Sequence, residues 1–294
     1  MSDSFIIKET LTIETGSPPT ATPIFMVGPC SSSIDVAWEL IARDELPLWG
    51  TVLVERQTGG RGRMGRVWQS PPGHVYGAVR LPLAPPFDGP GASLALALIL
   101  AEVLRDFGWE MQIKWPNDLI YDGGKVGGLL LESREIKMAG RRCVFRSAEP
   151  LEHPRGDGGV KPLRGLVAGI GFNLLAPPEG DWRREREPGA PVPSALPFAD
   201  GPAALWPALV KRFVLLYKEK FRGRTMPELI PEAERRMFWL GRRVAVVRPS
   251  STPPAPETGL VGRIAGLGPD GYLRLTSADG EFSLWSGTVC LRPD

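Results

Sequence analysis

The chain has 294 residues, 43% hydrophobic and 23% charged, the balance of an ordinary globular protein with room for one large domain and a small one. Its formal net charge of +2, from 35 basic and 33 acidic side chains, gives no reason to expect nucleic-acid binding. Two histidines, His74 and His153, leave little material for a His-based zinc site or a Ser-His-Asp triad. Three cysteines (Cys30, Cys143, Cys290), odd in number and without metal-ligand spacing, point to a reduced, cytoplasmic setting. The N-terminus lacks the basic flank and apolar core of a signal peptide. The most apolar run, Ala92 to Val103, is shorter than the ~20 residues of a membrane span and reads as a buried helix, so no membrane association is expected.

In chain order, residues 1–23 form a leader with a short alternating stretch, Phe5 to Ile13, that can add an edge strand. Ile24 to Val27 reads as the first core strand. Ser32 with Asp35 three residues on resembles a capping box and predicts a helix to about Ala42. Thr51 to Val54 and Val75 to Leu83 are strands, and Ser93 to Phe107 is a helix closed by Gly108. Met111 to Tyr121 is a strand broken by Trp115-Pro116, turning at Asp122-Gly123-Gly124 into a return strand over Lys125 to Glu132. Residues 134–164, polar and rich in Arg, Gly and Pro, read as an insertion, and Leu166 to Asn173 as another buried strand. Helices follow from about Trp206 to Phe221, with Pro207 in the first turn, and from Thr225 to Gly241, with Glu228 completing a capping box. From residue 241 onward, short β-rich runs separated by Gly-Pro-Asp-Gly and Ala-Asp-Gly turns suggest a small β-barrel. The expected division is a leader (1–23), an α/β catalytic domain (24–240, with the insertion) and a small β domain (241–294).

The stretch from Glu55 to Pro71 carries the chemistry. It holds Gly59, Gly60, Gly62 and Gly65, then Arg61, Arg63 and Arg66 before Trp68. Glycines let backbone N–H groups approach an anion, and arginines give fixed, permanently charged forks suited to carboxylate and phosphate. The same spacing fits a dinucleotide fingerprint, but that motif requires a helix next, and Ser70-Pro71-Pro72-Gly73 does not start one. A solvated Gly/Arg loop is the competing reading.

With the later motifs in view, Gly60 to Trp68 with Ser70-Pro71, Lys114-Trp-Pro-Asn-Asp118, Lys125-Val-Gly-Gly128 and Gly169-Ile-Gly-Phe-Asn173 resemble the catalytic core of biotin–protein ligases, within the biotin/lipoate protein ligase family. The C-terminal segment resembles, more weakly, that family's small SH3-like domain. Residues 1–23 are too few for the helix-turn-helix of its repressor members, so the ligase-only type is expected. The resemblance implies an α/β mixed-sheet fold and a two-step reaction. Biotin and ATP give biotinyl-5′-AMP and pyrophosphate, with Mg²⁺ accompanying the triphosphate through ligands the sequence does not identify. A lysine of a biotin carboxyl carrier protein then takes the acyl group. A homodimer is left open.

The resemblance further implies that Arg63 and Lys125 are catalytic. It puts Ser32, Ser33, Gln57, Arg61, Gly62, Arg63 and Lys125 on the acid, and Arg63, Arg66, Trp68, Asn117, Asp118 and Asn173 on the nucleotide. Each has a plain alternative. Lys125 by itself is a solvated turn lysine, Trp68 a core tryptophan, and Asn117, Asp118 and Asn173 buried polar groups satisfying backbone. Ile34 departs from the family, which has asparagine there, and the 134–164 excursion is longer than the family's connection. Both open the alternative of a ligase for another acid such as lipoate or octanoate, and a non-catalytic ligand sensor is a third reading. The serine-containing glycine loop of lipoate ligases is not found, and the arginine set favours an enzyme.

Overall fold

A computed structural model describes residues 6–13, 20–139, 142–147, 163–176, 189–247 and 260–291. Side chains alternate across a strand, and here both faces are apolar. In β4 (Val75–Leu81), Val75 and Val79 join one buried cluster while Tyr76 and Ala78 join a second. In β3 (Thr51–Val54), Leu53 faces the first cluster and Val52 and Val54 the second. Such strands must be covered on both sides. They belong to a nine-stranded sheet whose other members are β1 (Ile6–Ile13), β2 (Thr20–Val27), β5 (Gln112–Lys114), β6 (Asp118–Tyr121), β7 (Gly124–Ala139), β8 (Arg142–Ser147) and β9 (Leu163–Phe172). The order is β1-β2-β3-β4-β9-β7-β6-β5, with β8 paired to β7. The β2–β3 pair is parallel, and α1 (Ser33–Ala42) supplies the crossover that parallel strands need. The mixed sheet is the one expected.

Helix α1 covers one face. On the other face lie α2 (Ala92–Asp106), α3 (Gly201–Leu216) and α4 (Met226–Arg235). The buried carboxylate of Glu102 in α2 is met by Arg236 through Nε (3.0 Å) and a second guanidinium nitrogen, by Arg105 (2.9 Å) and by Lys220 (3.5 Å). A charge that deep requires such partners. A second, antiparallel sheet follows from β10 (Arg243–Val247), β11 (Val261–Leu267), β12 (Leu273–Ser277), β13 (Gly280–Leu284) and β14 (Thr288–Leu291), in the order β13-β12-β11-β10-β14. It is tied to the first by Trp115 Nε1, which donates to Gly271 O (2.9 Å), and by Leu267 N, which donates to Glu234 Oε1 (2.8 Å).

Several boundaries differ from expectation. α3 begins at Gly201, because Pro202 in its first turn already has helical φ, and Pro207 therefore lies inside the helix. α4 ends at Arg235 rather than Gly241, since Ile113 N and O bond to Arg236 O (2.7 Å) and Phe238 N (2.9 Å), drawing the chain into the sheet edge. The Thr225–Glu228 capping box is present. At α1 only half of the expected box forms. Ser32 Oγ accepts from Ile34 N (3.2 Å), whereas Asp35 turns to Arg61. The excursion is not wholly a loop, because β7 runs on to Ala139, hairpins with β8 and stays paired with β9 back to Leu163. Residues 148–162 of that insertion, 1–5 and 14–19 of the leader, and the Pro-rich 177–188 and 248–259 lie outside the described residues.

Candidate active site

A cavity of about 540 Å³ opens on the α1 side of the sheet. Its floor follows from the pattern of β9. Ala168, Ile170 and Phe172 point into the core, and the alternate positions Gly169 and Gly171 leave the opposite face bare. All twelve positions expected to hold substrate or nucleotide line it: Ser32, Ser33, Gln57, Arg61, Gly62, Arg63, Arg66, Trp68, Asn117, Asp118, Lys125 and Asn173. They come from α1, the glycine loop, the β5–β6 hairpin, β7 and the end of β9, which the sheet order brings together.

The glycine loop is held at both ends. Gln57 Oε1 accepts from Ser33 N (2.9 Å) and Ser33 Oγ (3.3 Å), and Gln57 Nε2 donates to Ser70 Oγ (2.9 Å). A side chain on Gly60 would strike Trp68 O and Ser70 Oγ, so only glycine permits this closure. Between these anchors Arg63 to Gly65 make one 3₁₀ turn. Arg61 donates to both oxygens of Asp35 (3.1 and 2.8 Å) and to Glu132 Oε1 (2.9 Å). Those hydrogen bonds to Asp35, with Glu132 beside them, raise the guanidinium above its ordinary pKa. Arg61 therefore pins the loop to α1 and β7, and its charge is matched within the protein. Arg63 differs. It is half-buried, its guanidinium makes no hydrogen bond or ion pair among the described residues, and its pKa is lowered by burial, with Asp118 opposing and Arg66 adding.

Trp68 closes over the glycines. A Cβ on Gly128 would lie 3.0 Å from its ring, and one on Gly171 2.9 Å. The indole Nε1 is buried with no partner among the described residues, and Lys125 Nζ stands 5.3 Å from the ring centre. Lys125 also reaches Asp118 Oδ1 (2.7 Å). Lys114 and Asp118 face each other across the β5–β6 hairpin, with Lys114 Nζ 3.8 Å from Asp118 Oδ2. Burial alone would raise Asp118, but Lys125, Lys114 and Arg63 hold its carboxyl below the usual value. Two lysines thus share one carboxylate, with Arg63 acting on it at longer range.

The two asparagines make structural contacts. Asn117 Nδ2 donates to Leu129 O (2.6 Å), and Asn173 Nδ2 to Ser194 O (3.0 Å). The second bond holds a strap that sequence reading missed. Lys125 N donates to Val192 O (2.7 Å), Ser194 N to Lys125 O (2.8 Å) and Leu196 N to Asn173 O (2.8 Å). Ala190, Pro191 and Pro193 of the strap line the cavity. Lys114, quoted in the hairpin motif, and the Asp35–Glu132 anchors were also left without a role in the site. Asp35 carried a signal, since a carboxylate in the first turn of α1 facing an arginine loop is a pairing candidate. Glu132 carried none, because it meets Arg61 only through the sheet order. Ile34 lines the cavity, is 4% exposed, and lies where a Cβ on Gly169 would be 2.5 Å from its Cδ1.

Fold and cavity together define an α/β domain in which a glycine- and arginine-rich loop covers a cation-lined cavity on a mixed sheet. Residues 27–146 match the biotin/lipoate A/B protein ligase family. It is 31% identical over 159 residues to a biotin–[acetyl-CoA-carboxylase] ligase of Paracoccus denitrificans, covering 52% of this chain and 54% of that protein. It is 40% identical over 91 residues to the bifunctional ligase/repressor BirA of Escherichia coli, covering 30% and 28%. The matched stretches thus span about half, or less, of these curated relatives. The fold is that of the biotin protein ligase of Aquifex aeolicus solved in complex with biotin and ATP, at a TM-score of 0.62 and 21% identity over 92% of this chain and 99% of that one.

Proposed function

We propose that this chain is an ATP-dependent biotin–protein ligase, joining biotin to ATP as biotinyl-5′-AMP and passing the biotinyl group to a lysine of a carrier protein. The observation that carries the reading is Arg63, a half-buried cation without a protein partner, beside Lys125 and above a glycine floor. A biotin carboxylate oxygen attacks the α-phosphorus, the bond to the β-phosphate oxygen breaks, and pyrophosphate departs with the electron pair. Two anions must meet for this, and preorganised cations offset their repulsion. Arg63 and Lys125 act at the reacting centre, Arg66 and Trp68 on the nucleotide, and Ser32, Ser33, Gln57 and Gly62 around the acid. Arg61, Asn117 and Asn173 hold the walls. In the second step the carrier lysine nitrogen attacks the acyl carbon, and AMP leaves.

The names of the Paracoccus and Escherichia relatives support biotin as the acid. Mg²⁺ accompanies the triphosphate, which suits an ion that keeps its waters and binds through one or two carboxylates beside substrate phosphates. Cys30 and Cys290 are not disulfide-bonded, which suits a cytoplasmic enzyme, and no described helix is long and apolar enough to cross a membrane. The division near residue 240 into a catalytic and a small β domain belongs to the same reading. Pyrophosphate release with MgATP and biotin, lipoate or octanoate tests it. Release with biotin is expected, and release with no acid would favour a non-catalytic sensor.

Ile34 favours a second reading, a ligase for a more apolar acid. A polar ring facing it would be left with a missing partner, costing about 1–3 kcal/mol per group, or roughly one to two powers of ten in affinity. Ile34 is packed on Gly169 and belongs to the core under α1, so biotin's polar ring is expected to draw its bonds from Ser32, Ser33 or the glycine loop. Calorimetric titration of wild type and Ile34→Asn decides between the two. Biotin affinity unchanged or lower in the variant fits packing. A gain for biotin with a loss for octanoate fits the apolar acid.

A further inference from the structure

β7 carries an arginine that the acid and nucleotide assignments do not use. Glu132 and Arg134 are two positions apart on this strand, so both side chains point to the α1 face of the sheet. Arg134 lies over the indole of Trp38 on α1, 5.0 Å from the ring centre, and donates to Glu132 Oε2 (3.0 Å). The same guanidinium stands 3.9 Å from Asp35 Oδ1. Arg61 contacts the same two carboxylates, at 2.8 Å each. Two guanidinium groups therefore share two carboxylates. Arg134 reaches this place because β7 does not end at Glu132. The strand continues, with Arg134 opposite Ser147 of β8 on one side and Gly165 of β9 on the other.

The charge balance matters because of where the cluster stands. Asp35 follows Ser32, Ser33 and Ile34 at the start of α1, and those three residues line the cavity together with Arg61. Burial alone would raise the Asp35 carboxyl, but Arg61, Ser31 and Arg134 hold it below its ordinary value, so it is charged at neutral pH. Without Arg134, two carboxylates would face one guanidinium. A net negative charge would then stand behind the wall of a site for an anionic acid. The four side chains are between 21% and 33% exposed, so water and salt screen such a charge only in part.

We propose that Arg134 is a positioning residue that neutralises the Asp35–Glu132 pair behind the acid pocket, so that Arg61 stays anchored without a surplus negative charge repelling the substrate carboxylate. The inference rests on the reading of the cavity as a site for a carboxylic acid, and it gives the first strand of the 134–164 insertion a part in that site. Arg61 cannot do both tasks, because its single charge balances only one of the two carboxylates it holds. Trp38 offers Arg134 a flat surface to stack on, which fixes the planar group without cancelling its charge.

The probes are biotin and its uncharged alcohol, biotinol, titrated calorimetrically into wild type and Arg134→Met, which keeps an apolar stem on Trp38 and removes the charge. One unit charge on the order of 10 Å away corresponds to about three- to fivefold in affinity. Biotin is expected to bind that much more weakly to the variant, and biotinol to stay within about 1.5-fold of wild type. The difference is expected to shrink as salt is raised from about 0.05 to about 0.5 M. Arg134→Lys, which retains the charge, is expected to restore biotin binding. A merely structural clamp would weaken both probes alike, whatever the salt. Should Arg134→Met fail to fold, Arg134→Gln carries the same comparison. Equal losses for both probes, or no loss of biotin affinity, would overturn the role of Arg134. Failure of wild type to bind biotin would overturn the biotin reading beneath it and not the charge balance, which octanoate and octanol then probe in the same way.

Discussion

Two arginines two residues apart have opposite fates, and the difference is set by what stands opposite each. Arg61 meets Asp35 and Glu132, whereas Arg63 meets the cavity. Replacing them should separate stability from catalysis. Arg63→Ala is expected to reduce adenylation by orders of magnitude, about 2–4 kcal/mol of transition-state stabilisation, with melting temperature nearly unchanged. Arg61→Ala is expected to cost about 1–3 kcal/mol of stability, at the low end because the pair is partly solvated, since it strands two carboxylates. Acid titration sharpens the contrast. Burial alone would raise Asp35, but Arg61 brings its carboxyl below the ordinary 3.8. A folded pKa below the unfolded one stabilises fully above about pH 4 and is lost as pH falls through the folded value. Arg61→Ala should therefore lose less stability than wild type between neutral pH and pH ~3, measured by denaturant unfolding. Unchanged turnover in Arg63→Ala would remove Arg63 from the site.

At the scale of elements, the cavity exists because β7 and β9 carry glycine at positions facing α1 and Trp68. The indole is flat and rigid, and Gly171→Ala would put a Cβ 2.9 Å from it. Trp68 must then leave its slot, at about 1–3 kcal/mol. Tryptophan emission should shift and ATP affinity should fall, while biotin affinity changes less. An unaltered spectrum with full ATP affinity would mean that Trp68 does not cover the nucleotide. Much of this was legible beforehand, because periodicity is local. The two-sided strands, the α1 cap at Ser32 and the glycine loop all declare themselves within a few residues. What was not legible depends on distant partners. α4 stops at Arg235 because Ile113 captures the next residues, and the strap at 190–196 looks like a proline-rich loop until it is seen bonded to Lys125. The candidate site residues were found as a set lining one cavity. Their division into those that face it unpaired and those that hold its walls, as Arg61 does, could not be read from spacing.

Across the whole molecule, the second sheet is part of the site's support. Trp115, between Lys114 and the asparagine of the hairpin, is anchored to Gly271, and Gly287 lines the cavity. The cavity therefore runs from α1, past Arg63 and Lys125, to the junction with the β-rich C-terminal sheet. The most direct test of that arrangement is mass spectrometry of the protein after incubation with biotin and MgATP and removal of free ligand. The account predicts biotinyl-5′-AMP retained by wild type and absent from Arg63→Ala. No adenylate with biotin, together with retention of the adenylate of another acid, would contradict it.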